Sequence, residues 1–93
     1  MGITFFEVQE WERDLLRLAF PHAQLVSDKL TAENAQQYSD TEVASCFIYS
    51  VIDEKTISAL PNLKYIITRS TGFDHIDTKA CASRKIVVSN VPE

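Results

Sequence analysis

Residues 68–77 carry the side chains and turn best suited to bind a ligand. They read T-R-S-T-G-F-D-H-I-D and directly follow the apolar stretch L-K-Y-I-I at residues 63–67. A β-branched strand that stops at a glycine-containing turn and continues into a helix leaves backbone N–H groups free at its carboxyl end. Open parallel sheets bind their ligands at that edge. The sequence therefore predicts a binding loop at this position.

Within this loop, Thr71 and Gly72 have the best physical argument for binding. The missing Cβ of Gly72 lets the backbone approach a ligand closely, and consecutive N–H groups can donate charge-assisted hydrogen bonds to a carboxylate. The alternative is that Gly72 serves only a positive φ angle at the turn between strand and helix. Phe73 either lines the pocket or packs under the loop, and we expect it to pack under the loop.

Other candidates follow the remaining predicted strands, because parallel strands end at one edge of the sheet. They are Glu7, Ser27, Tyr49, Ser50 and Asn90. Tyr49 ends the third predicted strand, where its phenol would project over the same crevice. The alternative is an ordinary boundary tyrosine with its hydroxyl group in water.

Several ionisable side chains near the loop resemble catalytic groups, but each has a structural explanation. We predict an ion pair between Arg69 and either Asp74 or Asp77, and a helix N-cap at Asp77. His75 follows the loop and is expected to be a turn or interdomain residue, and His22 is expected to be exposed. No catalytic residue and no metal ligand is assigned.

Apolar periodicity predicts the elements that position these residues. Strands are expected at residues 3–6, 23–26, 45–49, 65–68 and 86–89. Between the first two strands, an amphipathic helix has an expected inner face made of Val8, Trp11, Leu15, Leu18 and Ala19. Thr31 is predicted to cap a short helix through Gln37, Asp53 a helix over residues 54–60, and Asp77 a helix over residues 78–84.

Five strands that alternate with helices predict right-handed βαβ crossovers and a parallel sheet. We expect an α/β fold, a flavodoxin-like three-layer sandwich with strand order 2-1-3-4-5. The 93 residues fit a single domain, residues 1–93.

A family resemblance rests on two segments. Residues 60–77 read L-P-N-L-K-Y-I-I-T-R-S-T-G-F-D-H-I-D, and residues 86–92 read I-V-V-S-N-V-P. In this order they resemble the first domain of the D-isomer-specific 2-hydroxyacid dehydrogenases, and D-lactate dehydrogenases in particular. The strong part of the resemblance covers residues 44–92, about half of the chain.

The resemblance implies a substrate-binding domain of an NAD-dependent enzyme acting on a small 2-hydroxy or 2-oxo acid. Backbone amides matching Thr71 and Gly72 would hold the substrate carboxylate, and an aromatic residue matching Tyr49 would lie near the substrate side chain. The family's nucleotide-binding domain and its catalytic arginine, acid and histidine lie beyond the matched segments. Gly2 and Gly72 are the chain's two glycines, so a G-x-G-x-x-G turn cannot form.

The resemblance thus implies half an enzyme, inactive alone, with NAD or NADP bound elsewhere. Surface that normally contacts the second domain would be exposed, which predicts an apolar patch and self-association. A non-catalytic binding or interaction module is the alternative. A phospho-receiver or flavin carrier fits poorly, because the first strand is followed by E-V-Q-E and the third strand ends with Tyr49 and Ser50.

Composition excludes other classes of protein. The net charge is −4 and the nine Lys and Arg residues are scattered, which argues against nucleic acid as a partner. No apolar run approaches the roughly 20 residues of a membrane span, so we expect a soluble protein without a membrane partner. Cys46 and Cys81 lack a C-x-x-C neighbour and are expected to be buried free thiols. The amino terminus lacks a signal-like core, which makes a cytoplasmic location the default.

Overall fold

The computed structural model describes residues 2–90. Its strands are β1 (Ile3–Phe5), β2 (Gln24–Leu25), β3 (Val43–Cys46), β4 (Tyr65–Thr68) and β5 (Val87–Asn90). Its helices are α1 (Glu10–Ala19), α2 (Glu54–Ser58) and α3 (Thr78–Ser83), with a 3₁₀ helix over Ala35–Tyr38. All strand pairs are parallel, in the order β2-β1-β3-β4-β5. The predicted α/β fold and strand order are confirmed; Val91 and Pro92 of the N-V-P motif lie outside the described residues.

Two predicted elements differ from those observed in type or by three residues at one end, and other boundaries shift by one or two residues. The third strand ends at Cys46, three residues earlier than expected, because the Glu7 carboxylate accepts the N–H groups of Phe47 and Tyr49 in place of a neighbouring strand. The helix expected from Thr31 is a 3₁₀ turn that begins at Ala35. The side chain of Asn34 bonds to Thr31 N, so this segment closes as a turn before the helix starts.

The helices cover the two faces of the sheet unequally. The connection from β1 to β2 runs across the sheet in the opposite direction to those from β3 to β4 to β5. Right-handed crossovers therefore place α1 on one face and α2 and α3 on the other. The main core lies between the sheet and α2 and α3; its largest fully buried apolar side chains are Phe6, Leu30, Ile52, Ile57, Leu60 and Ile66.

A smaller core lies under α1, where Phe5, Val8 and Ala23 are buried and Leu16 packs against them. The face predicted for α1 is wrong. Val8 is buried as expected and Ala19 is exposed. Trp11, Leu15 and Leu18 are exposed to 75%, 64% and 82% and form an outward apolar stripe.

Polar anchors explain this orientation of α1. Arg13 donates to Ser27 Oγ at 2.9 Å, and Arg17 donates to the carbonyl oxygen of Ala23 at 2.9 Å. Both arginines thus turn toward the β2 side of the domain, with Leu16 packing beneath the helix. Periodicity identifies an apolar stripe without saying what that stripe faces, and here it faces away from the domain's own core.

On the face of the sheet that carries α1, β1 is covered by the helix, whereas β4 and β5 are left open. Strand register aligns Ile3, Val43, Tyr65 and Val87 in one row across β1, β3, β4 and β5. Ile3 packs into the small core under α1. On β4 and β5, by contrast, the side chains of Tyr65, Ile67 and Val87 point to this face and are exposed to 43%, 43% and 55%. Parallel sheets are normally covered on both faces, so this is an open apolar face.

Within residues 2–90, no helix is long and apolar enough to cross a membrane.

Candidate functional site

The loop after β4 is held in shape by a chain of side-chain hydrogen bonds. Ser70 Oγ donates to the carbonyl oxygen of Gly72 at 2.7 Å, so its single proton is used. Thr68 Oγ1, 2.7 Å from Ser70 Oγ, must then donate to it and accept from His75 Nε2 at 3.0 Å. His75 therefore carries a proton on Nε2 and acts as a structural donor at the turn, in line with the structural role predicted for it.

Three carbonyl groups of this loop accept hydrogen bonds, while the N–H groups of residues 70–73 donate none within the described residues. Asn90 Nδ2 donates to the carbonyl oxygen of Thr71 at 2.6 Å, and Ile76 N donates to that of Phe73 at 3.0 Å. The N–H groups of Ser70, Thr71, Gly72 and Phe73 donate no hydrogen bond to another residue within 2–90. Unpaired donors at the carboxyl end of a strand are what an anionic ligand requires.

Gly72 does not have a positive φ angle, so that alternative reading of the glycine is wrong. A Cβ atom added at Gly72 would meet no protein atom within 4 Å. Gly2 differs, because a Cβ there would lie 2.7 Å from the carbonyl oxygen of Asp40. The described fold therefore tolerates a side chain at position 72, and glycine there leaves open space beside the backbone of the loop.

Phe73 was expected to pack under the loop, and this is wrong: its side chain is 46% exposed. Ile76 takes the buried position instead, where an isolated bridge joins it to Ile52. The ring of Phe73 thus lies at the surface beside Thr71 and Gly72.

The loop after β3 is organised by a buried carboxylate. Glu7 has a left-handed backbone, with φ of 58°, and its side chain is buried. Oε2 accepts from Phe47 N at 2.7 Å, Ser50 N at 3.1 Å and Ser50 Oγ at 2.6 Å, while Oε1 accepts from Tyr49 N at 3.0 Å. This carboxylate therefore fixes the backbone from Phe47 to Ser50.

Arg69 bridges three strand ends on the α1 side of the sheet. Its guanidinium donates to Ser45 Oγ at 2.9 Å and to the carbonyl oxygens of Phe6 and Glu7 at 2.6 and 3.1 Å. It also lies 3.6 Å from a carboxylate oxygen of Glu12 in α1. The side chain is only 21% exposed, so this is a largely buried tether.

The ion pair predicted between Arg69 and Asp74 or Asp77 is therefore wrong. Side chains alternate across a strand, and this alternation directs Arg69 toward α1. Asp77 serves α3 on the opposite face, where its Oδ1 accepts from Ala80 N at 3.0 Å, and its predicted role as an N-cap is confirmed. Asp53 caps α2 as predicted, and hydrogen bonds from Thr56 lower the pKa of its carboxyl.

An open cavity of about 350 Å³ lies at the carboxyl ends of β1, β3 and β4. Its lining residues are Glu7, Gln9, Trp11, Glu12, Phe47, Tyr49 and Arg69. The rings of Phe47 and Tyr49 meet edge to face, with centroids 6.4 Å apart. We call this space the aromatic cavity.

The structure brings only some of the predicted site residues into this cavity. Tyr49 lies there, while Thr71, Gly72 and Phe73 form the neighbouring loop that begins two residues after Arg69. Sequence reasoning missed Trp11 and Phe47, and it listed Glu7 without its role. The signal available for Phe47 was its place near the carboxyl end of the predicted third strand, residues 45–49; Trp11 was assigned to the core.

Both cysteines are buried and free, as predicted. Burial, and secondarily the nearby Glu7 carboxylate, raise the pKa of the Cys46 thiol to about 12. Burial also raises the pKa of Cys81. These thiols are neutral at physiological pH. Residues 2–90 contain no group of three His, Cys, Asp or Glu side chains placed to ligate a metal ion.

Comparisons with known proteins agree with this architecture. The D-specific alpha-keto acid dehydrogenase of Enterococcus faecalis is 37% identical over 97 residues, which cover 98% of this chain and 30% of that protein. The glyoxylate reductase of Thermofilum pendens is 42% identical over 53 residues, covering 57% of this chain and 16% of that protein.

The crystal structure of D-lactate dehydrogenase from Aquifex aeolicus, in complex with NAD and lactic acid, superposes with a TM-score of 0.89 at 27% sequence identity. The match covers 98% of this chain and 28% of that one. The chain thus spans less than a third of the length of these relatives. The family model described as D-isomer specific 2-hydroxyacid dehydrogenase, catalytic domain, matches residues 3–93, and the chain belongs to that family.

Proposed function

We propose that this chain is the substrate-binding part of an NAD-dependent D-2-hydroxyacid dehydrogenase acting on D-lactate-like acids. The observation that carries the proposal is the row of N–H groups from Ser70 to Phe73, which donate to no residue within 2–90, at a strand end where the carbonyl groups of Thr71, Gly72 and Phe73 are already bonded. A carboxylate would accept hydrogen bonds from Thr71 and Gly72, with Tyr49 and Phe73 as neighbouring aromatic contacts.

In this proposal the chain binds and orients the acid, and another domain carries out the chemistry. Two N–H donors would hold the carboxylate and so fix the direction in which C2 of the substrate points. A nicotinamide cofactor held by that other domain would supply hydride transfer at C2. None of the residues of this chain is assigned to proton transfer.

NAD itself does not fit this chain. Its glycines, Gly2 and Gly72, stand 70 positions apart, and the turn at Gly72 leads into α3, a helix of six residues. The nucleotide-binding domain and the catalytic arginine, acid and histidine are therefore assigned to a separate domain, and residues 1–93 to a single substrate-binding domain. The isolated chain is then inactive, and that second domain is its proposed partner.

The test follows backbone amide NMR signals of the chain during titration with D-lactate and with lactamide, its uncharged analogue. The proposal expects Thr71 and Gly72 signals to shift with lactate and not with lactamide. Gly72→Ala should abolish the shift because its Cβ enters the open space beside the loop, whereas Thr71→Ala should keep it because the backbone N–H remains. Equal shifts for both ligands, or none, would overturn carboxylate binding at this loop.

A further inference from the structure

We propose that Asn90 is a positioning residue for the substrate carboxylate. Its side chain holds the Thr71–Gly72 peptide in the orientation that points the Gly72 N–H group away from β5 and toward the β3 side of the loop. The inference rests on the proposed function, since this loop must hold the carboxylate. It adds a residue of a different strand that orients a donor without contacting the ligand itself.

Asn90 lies at the end of β5, beside the strand that leads into the loop. It is aligned with Thr68 in the register of β4 and β5. Its Nδ2 atom donates to the carbonyl oxygen of Thr71 at 2.6 Å, a contact between residues 19 positions apart. One partner of this hydrogen bond is therefore fixed on a regular strand, and the other belongs to the loop that presents the donors.

This hydrogen bond sets the direction of an N–H group as well as that of a carbonyl group. The peptide bond between Thr71 and Gly72 is trans, and in a planar trans peptide the C=O and N–H groups point in opposite directions. Because the Thr71 carbonyl oxygen is held against Asn90, the Gly72 N–H group points away from the end of β5. In the sheet, β3 lies on the other side of β4, and the aromatic cavity with Tyr49 lies at its end.

The need to satisfy a buried carbonyl group does not explain the contact. Thr71, Gly72 and Asn90 are all exposed, so water can replace the side chain as a donor to the Thr71 oxygen, and the bond adds little to folding stability. A peptide next to an exposed glycine can rotate readily, since the φ and ψ angles of glycine are the least restricted. Asn90 therefore acts chiefly on the orientation of the Gly72 N–H group.

The next peptide in the loop is held by a different side chain. Ser70 Oγ donates to the carbonyl oxygen of Gly72 at 2.7 Å, and this contact sets the direction of the Phe73 N–H group. Asn90 thus controls one donor and not the whole loop. A substitution at Asn90 should accordingly affect the Gly72 amide specifically, whereas a general loosening of the loop would affect its neighbours equally.

The test titrates D-lactate into the 93-residue chain and into Asn90→Ala, and follows backbone amide NMR signals. A donor that is already aligned makes binding less costly, so the dissociation constant should rise about three- to tenfold in Asn90→Ala. The Gly72 shift extrapolated to saturation should fall, while that of Thr71 persists because its N–H group belongs to the preceding peptide. Without ligand, the backbone order parameter of Gly72 should also fall.

Two further variants separate positioning from a purely structural role. Asn90→Gln keeps an NH₂ donor on a longer side chain and should recover part of the lactate affinity and of the Gly72 shift. Asn62→Ala removes an exposed asparagine in the turn before β4 and should leave both unchanged. Urea midpoints of all three variants should stay close to that of the original chain, because the substituted side chains are exposed.

The outcomes distinguish this inference from the proposed function. An unchanged affinity and Gly72 shift in Asn90→Ala would overturn the positioning role and leave carboxylate binding at the loop intact. Equal losses at Thr71 and Gly72, with a lowered urea midpoint and no recovery in Asn90→Gln, would overturn it in favour of a structural role. An absence of lactate-induced shifts at Thr71 and Gly72 in the original chain would overturn both proposals.

Discussion

The Ser50 hydroxyl donates a hydrogen bond of 2.6 Å to Oε2 of Glu7, and its oxygen accepts from Leu30 N at 2.9 Å. This contact joins residues 43 positions apart and ties together the segments that follow β1, β2 and β3. Glu7 adopts a left-handed backbone at this position, with φ of 58°. Such a conformation is costly for a residue with a Cβ, and the surrounding hydrogen bonds hold it in place.

Glu7→Gln should lower the free energy of unfolding by about 2–3 kcal/mol. The amide has one acceptor oxygen and places an NH₂ group against N–H and O–H donors, so charge-assisted hydrogen bonds are lost in a buried site. Urea unfolding followed by circular dichroism measures the change. Glu10→Gln, on the exposed start of α1, is the matched control and should change stability by no more than about 0.5 kcal/mol. Equal effects from the two variants would show that the Glu7 network contributes little.

Arg69→Met should destabilise the chain by about 2–4 kcal/mol. The substitution leaves the largely buried carbonyl oxygens of Phe6 and Glu7 without their donor. Lys64→Met removes the cation of a surface pair, 3.6 Å from Glu42 with a lysine side chain 63% exposed, and should cost no more than about 1 kcal/mol. Denaturant midpoints of the two variants measured in parallel test this. If Lys64→Met lowered the free energy of unfolding as much as Arg69→Met, the assignment of Arg69 as a structural tether would be contradicted.

The alternation of strands and helices was predictable from short-range signals, and the strand order 2-1-3-4-5 was also what the family resemblance implied. Apolar runs, turn residues and N-caps such as Asp53 and Asp77 alternate regularly, and right-handed crossovers leave few arrangements for them. The carboxyl-end loop containing Thr71 and Gly72 could be found for the same reason, since it directly follows a recognisable strand.

The role of Glu7, the early end of β3 and the orientation of α1 could not be predicted, because they depend on contacts between residues distant in sequence. Nothing near Glu7 indicates that it accepts hydrogen bonds from residues 40–43 positions away, or that β3 ends early as a result. Trp11 has the spacing of a core residue, but the anchors of Arg13 and Arg17 turn it outward. Local patterns define each element, whereas its rotation depends on its neighbours.

The Cys46 thiol should make stability fall at alkaline pH. Its folded pKa of about 12 lies above the ordinary value of 9.0, so the folded state retains a proton that the unfolded state releases. The contribution of this pKa difference to the free energy of unfolding is fully present below pH 9. It is lost as the pH rises toward 12, by up to about 1.4 kcal/mol per pH unit. Urea unfolding at pH 8 and pH 10.5 should show a smaller stability difference between the original chain and Cys46→Ala at the higher pH. A constant difference would contradict the raised pKa.

We expect the 93-residue chain to self-associate through its open apolar face. Tyr65, Ile67 and Val87 are exposed on β4 and β5, where a parallel sheet is normally covered. We expect the chain to bind the apolar dye ANS and to have a melting temperature that depends on protein concentration. Ile67→Thr combined with Val87→Thr should weaken both effects, because threonine retains strand propensity while reducing apolar surface.

Val51→Thr provides the control for that pair, since Val51 is 49% exposed but lies in a loop away from the open face. Dye binding and concentration dependence should be unchanged in this variant. Analytical ultracentrifugation across the same concentrations measures association directly. A monomeric chain with a cooperative, concentration-independent melt and no ANS binding would show that this face needs no partner. Association that survives the double substitution would place the contact elsewhere, with the outward stripe of Trp11, Leu15 and Leu18 as the next surface to change.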